Sequence, residues 1–202
     1  MTIRSFSFGV AALLATAVVV GVGLGAALLQ VSSGAAKAAA TFSPYVDETG
    51  KISLPAGYRS QWAHLGTWAV REMMGGLGYH EVYTQPSSVE AYQQTGVFPD
   101  GAVLVKELRK TTAAPLTTGH VTWGAEITGW FIMIKDATGR FTDHPLWGDG
   151  WGWALFQVTP EDPPKLVTQD YKTECIPCHI PARQTDWVYI QGYPELKGTS
   201  QP

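Results

Sequence analysis

The chain of 202 residues contains two cysteines, and both lie in the short run Cys175-Ile176-Pro177-Cys178-His179. A C-x-x-C-H run is the attachment signature of a c-type haem, because two thiols at this spacing can each add to one vinyl group on one porphyrin edge. The next residue, His179, is carried beneath the ring, where its imidazole can be the proximal iron ligand. The run therefore predicts one covalently bound haem c, held by Cys175, Cys178 and His179.

Two other interpretations of the cysteine pair stay open. A C-x-x-C pair can be a redox disulfide, but such pairs usually open a helix after a strand in a thioredoxin-like unit, and no such unit precedes Cys175. A zinc site needs a second pair of ligands, and the sequence has no second C-x-x-C and no H-x-x-x-H. Haem attachment is the interpretation that the sequence favours.

The N-terminus has the pattern of a targeting segment. Arg4 is followed by the uncharged apolar run Gly9 to Leu29, and Ala36-Lys37-Ala38 matches a small-x-small cleavage site. We expect residues 1–38 to be a signal peptide, or else an N-terminal membrane anchor, and residues 39–202 to be one monohaem domain. In both cases the positive end stays inside, so the domain is expected in the periplasm, where haem attachment also takes place.

The charge of the domain limits its partners. Without the leader the chain has 12 Lys and Arg against 17 Asp and Glu, a net charge of −5. This balance argues against nucleic acid or an anionic membrane surface as partner. Eight Trp, eight Tyr and seven Phe are a heavy aromatic load. Most of these rings are expected to fill the core, and some could wall a haem.

The patterns along the domain predict consecutive strands joined by short turns. Strands are expected at His80–Thr84, Ala102–Lys110, His120–Ile134, Trp151–Thr159 and Trp187–Ile190, with a strand or short helix over Gln61–Met74. A helix is expected from Pro86 to Gly96, with Ser87 and Glu90 as a capping box and Gly96 as the stop, and a short helix is expected within Leu166–Glu174. The predicted fold class is α+β: a β-rich antiparallel sheet with a few short helices and the c-type haem attached near the C-terminus.

Six motifs follow one another in a distinctive order. They are Val82-Tyr83, Thr95-Gly96, Phe98-Pro99-Asp100-Gly101-Ala102-Val103-Leu104-Val105-Lys106-Glu107-Leu108, the C-x-x-C-H run, Thr185-Asp186 and Tyr193-Pro194. This order, with the haem motif at the C-terminal end, resembles the cytochrome P-460 family from about residue 52 to about residue 197.

The resemblance implies a homodimeric, β-rich, periplasmic monohaem protein with five-coordinate iron. In the founding members of the family a lysine is linked covalently to the porphyrin edge, and the protein oxidises hydroxylamine to nitrous oxide. The related beta-type cytochromes c′ share the fold, lack the cross-link, bind nitric oxide and cap their distal pocket with phenylalanines. The expected partners are therefore a small nitrogen-oxide ligand or substrate and a periplasmic electron acceptor.

Lys106 matches the cross-linking lysine of the founding members. Because side chains alternate along a strand, Leu104, Lys106 and Leu108 share one face. A cation on an apolar face is costly unless it is paired, neutralised or chemically used. The alternative is a lysine that snorkels off a sheet edge. Lys106 is therefore a candidate both for cofactor binding and for catalysis.

His80 stands where the founding members carry a distal arginine. An imidazole there could donate a hydrogen bond to an iron-bound species or shuttle protons, and it could equally be a structural histidine. Phe131 falls near a distal position that is acidic in the founding members, which indicates a drier pocket and puts hydroxylamine oxidation in doubt.

The remaining histidines and methionines have weaker signals. His64, His120 and His144 have no metal-site spacing, so we treat each as structural. Met73, Met74 or Met133 could supply a sixth haem ligand. Three functions therefore stay open: a hydroxylamine-oxidising enzyme with catalytic Lys106 and His80, a nitric oxide or small-diatomic-gas binding protein without turnover, and a six-coordinate electron carrier.

Overall fold

One antiparallel sheet dominates the structure, a computed structural model that describes residues 42–71, 77–159 and 163–198. The chain divides into the units Met1–Ala39 and Ala40–Pro202, and only the second contains described residues. The predicted leader, Met73 and Met74 lie outside the described residues. No helix in the described ranges is long and apolar enough to cross a membrane.

The described strands form a seven-stranded sheet in the order β1-β2-β3-β4-β6-β5, with β7 paired to β6. Every pairing is antiparallel, which confirms the predicted β-rich antiparallel sheet with a few short helices. Of the segment Gln61–Met74, residues Ala63–Arg71 form a strand, and Gln61 ends a one-turn helix. The strands are β1 Ala63–Arg71, β2 Leu77–Thr84, β3 Val103–Leu116, β4 Gly119–Lys135, β5 Trp147–Gly148, β6 Trp151–Gln157 and β7 Lys165–Leu166.

The two faces of the sheet bury different clusters because neighbouring residues of a strand point to opposite sides. One face presents Leu104, Met133 and Trp153 to the middle helix and the C-terminal segments. The other face presents Val103, Val105, Ile132 and Ile134, and is covered by side chains that include Ile52, Tyr58 and Trp147. We call these the C-terminal face and the N-terminal face. The candidate site lies on the C-terminal face.

The helices are short, and their bounds differ in part from the prediction. They are α1 Tyr58–Gln61, α2 Pro86–Thr95, α3 Tyr171–Glu174 and α4 Ile176–His179, followed by the 3₁₀ helices Ile180–Thr185 and Pro194–Leu196. Gly96 ends α2 as predicted, with a left-handed φ of 72° and its N–H bonded to the Tyr92 carbonyl at 2.8 Å.

The predicted capping box at the start of α2 is wrong. Helix α2 has Gln85 as N-cap and Pro86 in its first turn, and no side chain caps it. Proline suits this position because its fixed φ is already helical and its missing N–H would have no intrahelical partner. The Gln85 side chain instead accepts the Val103 N–H at 2.9 Å and so joins the helix start to β3.

The predicted strand Trp187–Ile190 is also wrong, and the predicted helix in Leu166–Glu174 is limited to Tyr171–Glu174. Leu166 belongs to β7 and pairs with Phe156. Residues 188–190 have no regular structure. The segment cannot extend a sheet because its carbonyls are bonded elsewhere: the Trp187 carbonyl to His179 and the Val188 carbonyl to the Thr185 hydroxyl at 2.8 Å.

A buried carboxylate lies on the N-terminal face of β3. Glu107 is fully buried and accepts hydrogen bonds from the Tyr58 hydroxyl and from Arg59 Nε at 2.8 Å. Arg109 Nη1 lies 3.3 Å from the same carboxylate. Burial, and then the hydrogen bond to Glu107, raise the pKa of Tyr58 to about 12. Because strand neighbours face opposite ways, this cluster lies behind Lys106 and outside the candidate site.

Candidate functional site

A cavity of about 230 Å³ lies between the C-terminal face of the sheet and the segment that carries the C-x-x-C-H run. The strands supply an apolar wall, which includes Val82, Leu104, Phe131, Met133 and Trp153. The opposite wall includes Cys175, Cys178 and His179, and Lys106 also lines the cavity. The structure thus brings together four of the five residues that the sequence singles out.

The two cysteines are presented by a pair of one-turn helices. Asp170 caps α3 by accepting the Lys172 N–H at 3.0 Å, and Cys175 joins α3 to α4. Cys175 is buried, Cys178 is exposed, and both are free thiols. Burial, and then the charge of Glu174, raise the pKa of Cys175 to about 11. Both thiols line the cavity, where a bound cofactor could reach them.

His179 is oriented by two neighbours. Its Nδ1 lies 2.7 Å from the Trp187 carbonyl oxygen. A carbonyl oxygen can only accept, so Nδ1 carries the proton and the lone pair is on Nε2, which is the nitrogen left to bind a metal. The Trp153 ring packs edge-on against the imidazole, with centroids 4.9 Å apart. Burial lowers the pKa of His179, which favours the neutral, ligating form.

Lys106 points from β3 into the cavity. Its cross-strand partners are Val82 and Phe131, and its Nζ lies 4.5 Å from the centre of the Phe131 ring. Burial lowers the pKa of Lys106. Within the described ranges no carboxylate forms an ion pair with it. The strand alternation predicted this face correctly, and the result is a poorly solvated amine beside the two thiols.

His80 is the predicted site residue that does not line the cavity. It lies on β2, two residues before Val82 and on the same face, opposite Leu108 of β3. Burial, and then the positive charge of Lys106, lower the pKa of His80 to about 4. The ring is therefore neutral at physiological pH. It stands beside the cavity as a proton acceptor or as a neutral hydrogen-bond donor.

The other candidate ligands differ in position. Met133 lines the cavity beside Trp153, so a methionine is within the site. His64 and His120 are exposed, and the His144 ring accepts the Leu146 N–H at 3.1 Å. Within the described ranges no group of three or more His, Cys, Asp or Glu could hold a metal ion.

Three aromatic residues complete the site, and sequence reasoning did not select them. Trp153 packs against the His179 ring, and the Trp187 main chain accepts its N–H. The Tyr189 hydroxyl donates to the Cys178 carbonyl at 2.7 Å. The only sequence signal for these residues was the high aromatic content, which does not say which rings surround a site.

The donor set on these walls fits a haem. Two thiols two residues apart, an imidazole with a free Nε2 and an apolar wall are the groups that hold a c-type haem and exclude water from it. The cytochrome P-460 family matches residues 55–190, which include the whole C-x-x-C-H run and Lys106. The chain belongs to the cytochrome P-460 family. Haem is accordingly its cofactor. No curated protein matches the chain.

Proposed function

We propose that this member of the cytochrome P-460 family is a periplasmic monohaem c-type cytochrome with five-coordinate iron that oxidises hydroxylamine or a similar small nitrogen compound. The observation that carries the proposal is the convergence of a buried amine, two thiols and one imidazole on a single cavity. The buried amine is that of Lys106. It matches the lysine that is linked to the porphyrin in the founding members, a feature that simple electron carriers lack.

Attachment of the haem would use Cys175 and Cys178. Each S–H adds across one vinyl double bond, giving a thioether with no leaving group, and His179 Nε2 ligates the iron. Intact mass after expression with a haem-maturation system should show one porphyrin that survives denaturation. Apoprotein with free thiols under those conditions would refute the attachment.

Among the described residues, two candidates for a sixth ligand are set aside: His80 stands outside the cavity wall, and Lys106 is the candidate cross-link. Met133 lines the cavity but is packed in the core cluster of the C-terminal face, which is our reason for proposing five-coordinate iron. We expect the reduced protein to bind carbon monoxide or nitric oxide rapidly. A low-spin spectrum that responds to neither gas would instead support the electron carrier, and Met133→Leu would then test the sixth ligand.

Lys106 is the proposed cross-linking residue. Burial lowers its pKa and so increases the fraction of free amine, which is the nucleophilic form. A bond from Nζ to a porphyrin edge carbon releases two electrons and two protons, so it needs a two-electron oxidant such as a peroxide. The Phe131 ring beside Nζ limits where the amine can move.

Substrate oxidation needs an acceptor for protons and an acceptor for electrons. The bound haem supplies one-electron redox chemistry and an open coordination position. Two hydroxylamine molecules give one nitrous oxide and one water, with four electrons and four protons released. His80 is neutral because its pKa is lowered to about 4, so it would donate a hydrogen bond to the substrate and would pass any proton it takes on to water instead of retaining it. Phe131 and Val82 make the nearby cavity wall apolar. The electrons would pass to a periplasmic acceptor.

One observation favours a second function, the binding of nitric oxide or another small diatomic gas without turnover. The wall around Lys106 is largely apolar and includes Phe131. By the resemblance, Phe131 falls near a distal position that is acidic in the founding members. A cavity with few proton acceptors suits capture of a neutral gas better than a reaction that releases protons. The alternative shares the fold, the cofactor and the axial ligand.

The decisive experiment compares the wild type with Lys106→Ala, and uses Lys110→Ala as the matched control. Lys110 lies on the same strand, but its side chain is exposed and pairs with Glu126. Proteolytic mass mapping should find a lysine-linked haem peptide in the wild type and Lys110→Ala only. Hydroxylamine turnover with an artificial oxidant should be lost in Lys106→Ala alone. An ordinary Soret band and no turnover in the wild type would refute the enzyme and leave the gas-binding function.

Location and assembly are further parts of the proposal. We propose that residues 1–38 are removed as a signal peptide and that the domain forms a homodimer. N-terminal sequencing should find a start near Ala39, whereas an intact Met1 in a membrane fraction would support the retained anchor. Light scattering of the purified holoprotein should give twice the mass of the domain, and a monomer would contradict the dimer.

A further inference from the structure

Two consecutive residues after the haem motif have a left-handed backbone conformation, although neither is glycine. Asp186 has a φ of 56° and Trp187 a φ of 67°. A side chain makes this conformation unfavourable, and it persists only where the surrounding structure over-determines it. Local backbone bonds supply part of that constraint: the Trp187 N–H donates to the Ala182 carbonyl at 2.9 Å and the Val188 N–H to the Thr185 carbonyl at 3.2 Å.

The Asp186 carboxylate adds contacts from outside the turn. Its Oδ1 accepts from Lys135 Nζ at 2.5 Å and from Trp151 Nε1 at 3.3 Å, and its Oδ2 accepts the Phe98 N–H at 2.8 Å. The side chains of Lys135 and Asp186 are only 9% and 8% exposed. The donors come from the end of β4, the start of β6 and the loop after α2. Three parts of the fold therefore converge on one carboxylate.

This turn ends at Trp187, whose carbonyl is the hydrogen-bond partner of the His179 imidazole. The Trp187 carbonyl accepts the Nδ1–H of His179 at 2.7 Å. The position of that carbonyl depends on the backbone of residues 186 and 187, and hence on the Asp186 anchor. A hydrogen bond from Nδ1–H makes Nε2 a stronger donor to a metal, and its loss or lengthening weakens that donor.

We propose that Asp186 and Lys135 are positioning residues for the haem: their buried ion pair holds the left-handed turn so that the Trp187 carbonyl sets the tautomer and the donor strength of His179. This inference rests on the proposed role of His179 as axial ligand. It extends that role to a charge pair between the turn and the end of β4.

The alternative is that the ion pair contributes only to stability. The two cases differ in the properties of the iron. If the pair positions the carbonyl, weakening it lowers the iron–histidine stretching frequency of the ferrous protein. It also makes the reduction potential more positive, because the ferric state depends more on donation from the imidazole. A purely structural pair would change the free energy of unfolding and neither of these properties.

The experiment compares Asp186→Asn and Lys135→Met with the control Asp136→Asn in the full-length holoprotein. Asp136 is as buried as Asp186, with a side chain 4% exposed, and it accepts from Arg140 Nη1 at 2.8 Å and from the Gly139 N–H at 3.0 Å. The hydrogen bonds of the Asp136 carboxylate all go to residues 138–140 of the same turn. It is therefore a carboxylate of similar burial and pairing that does not touch the segment after the haem motif.

We measure the ferrous iron–histidine band by resonance Raman spectroscopy, the midpoint potential by redox titration, and unfolding by urea. Both test variants should shift the band to lower frequency and the potential to more positive values, and Lys135→Arg, which keeps the charge, should restore most of both. Asp136→Asn should lose stability with the band and the potential unchanged. Lys135→Met leaves Asp186 two N–H donors, so it is the variant to use if Asp186→Asn does not accumulate.

The outcomes separate the inference from the function on which it rests. Unshifted bands in test variants that lose as much stability as Asp136→Asn would overturn the positioning role alone. A wild type without an iron–histidine band, but with a pyridine haemochrome spectrum that shows two thioethers, would refute the axial role of His179 and this inference with it. Equal shifts in all variants, the control included, would also overturn the inference.

Discussion

Replacing His80 by glutamine should remove a pH-dependent part of the stability of the domain. The pKa of His80 is lowered from 6.5 to about 4, first by burial and second by the charge of Lys106. The folded state therefore binds fewer protons than the unfolded state between these two pH values. Stability from this group is complete above about pH 6.5 and is lost as the pH falls through about 4.

The magnitude follows from the size of the shift. A change of one pKa unit corresponds to about 1.4 kcal/mol, so the full shift of His80 would be worth roughly 3 kcal/mol. His80 is only half-buried and water screens part of the interaction, so we expect about 1–2 kcal/mol. Burial is the larger cause, and the effect should persist even where a cross-link removes the charge of Lys106.

The assay is urea unfolding of the holoprotein at pH 7 and at pH 4.5, followed by tryptophan fluorescence. The free energy of unfolding of the wild type should fall by about 1–2 kcal/mol more than that of His80→Gln over this interval. His120→Gln, which removes an exposed histidine, should follow the wild type. The same pH-dependent loss in the wild type and in His80→Gln would refute the argument that His80 is held neutral.

Three other substitutions test interactions that hold the domain together outside the cavity. Glu107→Gln should reduce the free energy of unfolding by about 2–3 kcal/mol, because it weakens charge-assisted bonds to a buried carboxylate whose partners include Arg59. Gly96→Ala should cost about 1 kcal/mol in the same measurement, because the residue adopts a left-handed φ of 72°. Gly148→Ala should reduce the free energy of unfolding by about 1–3 kcal/mol, because a Cβ there would overlap the Tyr171 hydroxyl. A visible haem spectrum identical to that of the wild type would show that the site itself is intact.

The sequence predicted the parts of the site that depend on local patterns. The spacing of Cys175, Cys178 and His179 is fixed along the chain, and a one-turn helix places all three on one cavity wall. The alternation of β3 predicted that Lys106 shares a face with Leu104, and the sheet confirms it. The order of the motifs identified the family, which the match over residues 55–190 confirms. These features depend on residues that are close together in the sequence, so they can be predicted without the tertiary structure.

Local patterns were misleading where a residue's partners are distant in sequence. Trp187–Ile190 has the composition of a strand. The carbonyls of Trp187 and Val188, however, accept hydrogen bonds from His179 and Thr185, so they are not available to a neighbouring strand. Ser87 and Glu90 match a capping box, yet Pro86 occupies the first turn and Gln85 bonds to β3. In both cases a contact between separate elements overrides the local preference.

The amino-acid sequence by itself determined the family, and with it haem as the cofactor, and the face on which Lys106 lies, because each depends only on residue type and spacing. Tertiary structure alone decided which nitrogen of His179 is free, how far the pKa of His80 falls, and that Asp186 meets Lys135 across 51 residues of chain. The physical reason is that hydrogen bonding and desolvation depend on distance in space, which the folded sheet sets and the order of residues does not.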